Sequence, residues 1–213
     1  MCGKCCSRTE DDNSVFILPS EIQEIESATG LNRIDFILPL FPDFYDVSPD
    51  KKEVSINFSA FSEILKSVSD QIDENGRIHT FGWMLRRLKN GTCIFLDETK
   101  KCRIYDCRPV LCRTYPFYFI GSGIENCECE GIGTISKTDP ALTKELTDSI
   151  YNRILNEQED FLKTQHFLEK EKQKMKYNTK EGLGKAFENL DQGVLRFIVY
   201  DGSGIYETDI QLF

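Results

Sequence analysis

Nine cysteines in two widely separated groups are the residues of this chain best suited to chemistry. Cys2, Cys5 and Cys6 open the sequence. Cys93, Cys102, Cys107, Cys112, Cys127 and Cys129 lie within one later stretch. Thiolates are preferred ligands of zinc and of iron–sulfur clusters. Cys2 and Cys5 have the C-x-x-C spacing that lets two sulfurs face one ion, and Gly3 permits the tight turn between them. The adjacent Cys5 and Cys6 project differently. They share one compact site only on an irregular backbone, and otherwise serve two ions or one cluster. The two groups either meet in space or do unrelated jobs, and we read them as meeting around metal. His79 and His166 lie outside both groups and read as structural or surface residues. The expected ligand set is therefore sulfur alone. The central spacing C-x8-C-x4-C-x4-C fits neither a ferredoxin nor paired zinc-ribbon knuckles, so it leaves zinc, iron and a 4Fe-4S cluster all open.

The bulk properties narrow the surroundings of such a site. With 213 residues, 40% hydrophobic and 29% charged, the chain can build an ordinary globular core. Its net charge of -9 repels phosphate, so neither nucleic acid nor an anionic membrane is expected as a partner. No apolar run approaches the roughly 18 residues of a membrane span, and no apolar signal-peptide core is visible. The expected location is the cytoplasm, where reducing conditions keep thiols available as ligands.

An α+β arrangement must position the cysteines. Val15 to Leu18 reads as a short strand. A helix follows, with Ser20 as N-cap and Gln23 as its capping-box partner, and Gly30 stops it. Residues 34 to 58 read as strand and loop. Phe61, Ile64, Leu65, Val68 and Ile72 have the helical period, ended by Asn75-Gly76. Trp83 to Leu88, Asn90-Gly91 and Cys93 to Leu96 read as a hairpin, and a second turn at Thr99 to Lys101 returns the chain to Cys102. Arg108-Pro109 starts a short helix limited by Pro116, and residues 120 to 134 read as a glycine-rich loop. Asp139-Pro140 starts a long helix or helical hairpin. Ile154, Phe161, Leu168 and Met175 recur there every seven residues, facing the core or a protein partner. A helix over Lys180 to Leu190 and a hairpin over Leu195 to Leu212 complete the chain. The expected division is a cysteine-cluster domain over 1–135 and a helical extension with terminal hairpin over 136–213, packed on the first.

Several of these pieces together resemble a known family. They are Cys2-Gly-Lys-Cys-Cys6, Leu18-Pro-Ser-Glu21, Gly91-Thr-Cys-Ile-Phe-Leu96, Cys102-Arg-Ile-Tyr105, Arg108-Pro109, Cys112-Arg113-x-Tyr115-Pro116-Phe117 and Cys127. The sequence is similar to the zinc- or iron-chelating cysteine-cluster family known by its C-x-x-C-x-x-C-C motif. The resemblance runs from residue 2 to about 133. It implies Cys2, Cys5, Cys6, Cys93, Cys102, Cys112 and Cys127 as metal ligands. The family motif begins one cysteine earlier, three residues before Cys2. Either the natural start lies upstream of Met1 or seven family cysteines serve instead of eight. Cys107 and Cys129 are extras that could substitute for the absent ligand. Arg108 and Arg113 would offset the negative charge of metal-bound thiolates and donate hydrogen bonds to sulfur. Tyr115, Phe117, Tyr118 and Phe119 would wall the site or belong to the core.

Three functions are compatible with that resemblance. One is a protein whose metal mainly holds the fold. Another is a metal-dependent protein-modifying enzyme, since the family resembles the cysteine-rich part of flagellin lysine N-methylases. The third is a metal carrier. No nucleophile–base set, phosphate loop or adenosylmethionine motif accompanies the cysteines, so metal binding is the favoured reading.

Overall fold

Pro19 fixes where the first helix begins. The computed structural model describes residues 6–7, 15–41, 45–48, 53–55, 58–88, 90–120, 123–126, 140–174 and 179–212. Strand β1 (Phe16–Ile17) leads into helix α1 (Pro19–Thr29), with Leu18 extended at the N-cap and Pro19 at the first helical position. The helix thus starts two residues before the Ser20 cap expected from sequence. The locked φ of proline suits that first position, and the Glu21 carboxylate reaches back to accept from the Leu18 N–H at 2.7 Å. Gly30 ends the helix as expected.

After a 3-10 turn over Arg33–Asp35 come strands β2 (Ile37–Pro39), β3 (Tyr45–Ser48) and β4 (Glu53–Ser55). Helix α2 spans Phe58–Ser67, and a 3-10 turn over Ser69–Gln71 replaces its expected last turn. Strands β5 (Ile78–Phe81) and β6 (Trp83–Leu85) follow, then helix α3 (Val110–Thr114). Strands β7 (Phe117–Ile120) and β8 (Gly123–Asn126) form a hairpin. That corrects the expectation of loop from residue 120, since the backbone at 123–126 is paired. Helix α4 (Pro140–Lys174) and helix α5 (Thr179–Asp191) precede the terminal hairpin of β9 (Val194–Tyr200) and β10 (Ile205–Gln211). The fold is α+β.

Two three-stranded sheets share a chain crossing at Gly82. Strand β6 lies between β1 and β2, antiparallel to both, with Met84 opposite Phe16 and Leu38. Strand β9 lies between β10, antiparallel, and β5, parallel, with Ile78 opposite Phe197. Consecutive β5 and β6 therefore belong to different sheets. Gly82 turns the chain between them at φ +106, where a Cβ would stand 2.3 Å from the Phe16 ring. Only glycine meets both requirements. The parallel pairing of β5 with β9 needs a crossover, and the later cysteine group and both long helices fall within its residues 82–193.

The core follows from this topology. Ile17, Ile22, Ile25, Phe36, Leu38, Met84 and Phe95 are buried together with Ile78, Ala186 and Phe197, so N- and C-terminal segments share one apolar cluster. A second cluster joins Phe16, Leu18, Val110, Leu168, Ile198 and Tyr200, against which Phe161 packs. The seven-residue recurrence on α4 faces inward. Ile154 and Leu168 are buried, and the Phe161 ring meets Phe16 edge-on at 5.3 Å. Met175 lies outside the described residues. Among the described residues no helix is long and apolar enough to cross a membrane.

Candidate metal centre

A distorted ladder beyond β6 builds the junction of Cys6 and Cys93. The Leu88 N–H donates to the Thr92 carbonyl at 2.8 Å, and the Ile94 N–H to the Arg86 carbonyl at 3.4 Å. These bonds flank the antiparallel bridge between Arg87 and Cys93, which is therefore a narrow, non-hydrogen-bonded pair. In such a pair the two residues' own N–H and C=O groups point away from each other. The Cys93 N–H accordingly turns outward and donates to the carbonyl of Cys6 at 2.8 Å. Cys6 and Cys93 meet here through their backbones. Among the described residues, segments 83–88 and 93–96 pair through that bridge and the turn at Leu88–Gly91, while β6 itself pairs with β1 and β2. The expected hairpin between 83–88 and 93–96 is thus only partly formed, because flanking strands have taken both edges of β6.

From Cys93 the chain is folded on itself toward Cys102. The Leu96 N–H donates to the Cys93 carbonyl at 3.0 Å, and Leu96 is bridged to Cys102. The Asp97 side chain ties the intervening turn by accepting from the N–H groups of Thr99 and Lys101 at 2.8 and 2.9 Å. The Lys101 amide above all, with the Thr99 hydroxyl, holds this exposed carboxyl below its ordinary pKa. Cys102 thus returns close to Cys93 through a single residue that touches both.

Cys107 closes a 3-10 turn over Tyr105–Cys107 and is buried in the main apolar cluster. Burial pushes its thiol up, and the negative charges of Glu24, Cys102 and Asp106 add to that effect. Cys112 sits in α3, where its N–H donates to the Pro109 carbonyl at 2.9 Å. Cys6, Cys93, Cys102 and Cys112 are all partly exposed, and they carry thiols together with Cys107.

Glu21 was not singled out from sequence, yet it positions α3. One carboxylate oxygen accepts from Leu18 N–H at the start of α1, the other from Val110 N–H at the start of α3. A single buried side chain thus satisfies donors at two helix starts that would otherwise lack partners. Burial raises its pKa, while these two amides and Arg113 act against the rise. The available signal was position alone: Glu21 is the third residue of a helix opened by proline. Arg113 lies 3.3 Å from Glu157 of α4, so the cysteine-bearing helix and the long helix share an ion pair. Arg108 packs its guanidinium 3.7 Å over the Tyr105 ring and donates Nε–H to the Tyr105 carbonyl at 2.9 Å.

The histidines stand apart from this region. His79 is buried, bonded to Tyr200 Oη at 3.1 Å and Asp73 Oδ2 at 3.3 Å. His166 is exposed on α4. Cys2, Cys5, Cys127 and Cys129 lie outside the described residues, and so do the side chains of Phe117, Tyr118 and Phe119. Among the described residues no three ligand-type side chains converge on one point. The backbone nevertheless links three of the described cysteines, the Cys93 N–H to the Cys6 carbonyl and Leu96 to both Cys93 and Cys102. Soft sulfur donors at the surface suit zinc or iron.

The fold and these backbone-linked cysteines define a class: an α+β cysteine-cluster protein. A family model described as "Putative zinc- or iron-chelating domain", named for the CxxCxxCC motif, matches residues 1–139, and the chain belongs to this family. No solved structure matches it.

Proposed function

We propose that the chain binds zinc or iron through the thiolates of Cys2, Cys5, Cys6, Cys93, Cys102, Cys112 and Cys127. The observation that carries this reading is the 2.8 Å hydrogen bond from Cys93 N–H to the Cys6 carbonyl, which brings together cysteines 87 positions apart. Bound metal would link segments that a short hydrogen bond and two turns hold only locally. A 4Fe-4S cluster is the iron form that an all-sulfur set would suit. Cys107 and Cys129 are the reserve ligands in this proposal, and Arg108 and Arg113 the cations that offset thiolate charge. The cytoplasm is the proposed location, because thiol ligands need a reducing compartment. Residues 1–135 and 136–213 would act as one unit, a view supported by the pairing of β5 with β9 and by the Arg113–Glu157 contact.

Substitution of the junction tests the proposal. Cys6→Ser and Cys93→Ser should each reduce the metal retained by anaerobically purified protein, measured by elemental analysis beside wild type. Full retention in both variants would refute the role of this junction.

A further inference from the structure

The guanidinium nearest the cysteine junction by backbone register is not one of the two that flank Cys112. Arg87 stands directly opposite Cys93 in the bridge. Because this is a narrow pair, the two side chains leave the same face, with Cβ atoms roughly 4.5–5.5 Å apart. The Cys93 backbone is held at both ends, its N–H on Cys6 and its carbonyl on Leu96, so its sulfur has little freedom to leave that face.

Arg87 itself is partly buried, and its Nε–H is shielded from solvent with no acceptor among the described residues. An arginine cannot relieve such a position by losing its proton. A shielded donor without an acceptor is costly, and persists where a ligand or ion completes it. A metal-bound thiolate is an acceptor of the right sign. Four thiolates on one zinc leave a net charge near -2, which a neighbouring guanidinium offsets while donating to sulfur.

We infer that Arg87 donates its Nε–H to the Cys93 thiolate of the loaded metal centre and tunes its affinity. The inference rests on the reading of Cys93 as a ligand. Arg87 acts through that sulfur and does not touch the metal. It differs from Arg108 and Arg113, which the structure engages with Tyr105 and Glu157.

The test uses full-length protein stripped of metal and reloaded with zinc or, as a coloured substitute, cobalt(II). Arg87→Met removes the donor at similar length, and Arg87→Lys keeps the charge while losing the planar Nε–H. Zinc affinity, from chelator competition, should fall roughly 10- to 100-fold in Arg87→Met and by less in Arg87→Lys. The thiolate-to-cobalt charge-transfer band should move to lower energy in both, because a sulfur relieved of its hydrogen bond gives up charge more readily. A merely structural arginine would not move that band. Affinity within twofold of wild type, or an unmoved band whatever the affinity, would overturn the inference. Wild-type protein that takes up neither zinc nor cobalt would instead overturn the metal reading, and this inference with it.

Discussion

The N–H of Cys93 donates to the carbonyl oxygen of Cys6 across 2.8 Å, so one cysteine of the N-terminal group lies against one of the later group. This bond exists because Cys93 occupies a narrow pair with Arg87, which leaves its amide facing outward. The same region is anchored to the long helix α4 on the far side of Cys112, through Arg113 and Glu157. Metal bound at the junction would therefore bear on segments well beyond it.

Cys107 and Cys112 should respond differently to substitution. Cys107 is buried among apolar side chains, where sulfur acts as a small hydrophobe. Cys107→Ser should keep its metal but lose about 1–3 kcal/mol of stability, because a hydroxyl replaces an apolar contact. Cys112→Ser should lose metal, and with it folding energy that in small zinc sites amounts to roughly 10–16 kcal/mol of binding. Elemental analysis and urea unfolding of both variants check this. Equal metal content would contradict the assignment, and loss only in Cys107→Ser would show that the extra cysteine has replaced a family ligand.

His79 should make stability depend on pH. Burial lowers its pKa from 6.5, and the Asp73 carboxylate only partly opposes this. That carboxylate can only accept, so Nε2 carries the proton and Nδ1 accepts from the Tyr200 hydroxyl. A base with a depressed folded pKa stabilises the fold above its ordinary value, and the contribution is lost as pH falls through the folded one. Wild type should therefore lose stability as pH drops below 6.5, and His79→Gln should flatten that part of the curve. Asp73, whose burial is outweighed by bonds from Arg77 and His79, adds a further loss only below its ordinary 3.8. Above pH 4.5 Glu21, whose pKa burial raises, acts in the opposite sense in both proteins, so the difference between their urea midpoints at several pH values reads the His79 effect. Parallel curves for the two proteins would contradict it.

Two glycines of α5 should behave oppositely. A Cβ on Gly182 would stand 2.2 Å from the Asp73 carbonyl oxygen, whereas one on Gly184 would meet nothing within 4 Å. Gly182→Ala should cost about 1–3 kcal/mol by forcing the helix off the turn that carries Asp73. Gly184→Ala should stabilise by about 0.5–1 kcal/mol, since alanine is the better helix former. Thermal unfolding of the two variants checks both signs.

Much of the secondary structure was legible because it obeys local rules. Pro140 opens α4, the recurrence of Ile154, Phe161 and Leu168 marks its buried face, and a run of apolar residues marks β9. What the sequence hid depends on distant partners. Nothing near Ile78 announces that β5 will pair with β9, because that choice is made by the shared core of Ile78, Ala186 and Phe197. Likewise Glu21 is an ordinary helix carboxylate until Val110 is brought to it. For the site, residue type revealed the candidate ligands and Arg108 and Arg113. Arg87 was missed because its nearness to Cys93 is a matter of register, which a partly formed hairpin left ambiguous.

Metal content of the intact protein is the most direct test of the central claim. Full-length chain purified without oxygen should hold zinc at about one ion per four protected thiols, or iron with the brown absorption of an iron–sulfur cluster. Thiol titration before and after chelation should show the bound cysteines becoming reactive only once metal is removed. Protein without stoichiometric metal, with all nine thiols titrating at once, would contradict the account.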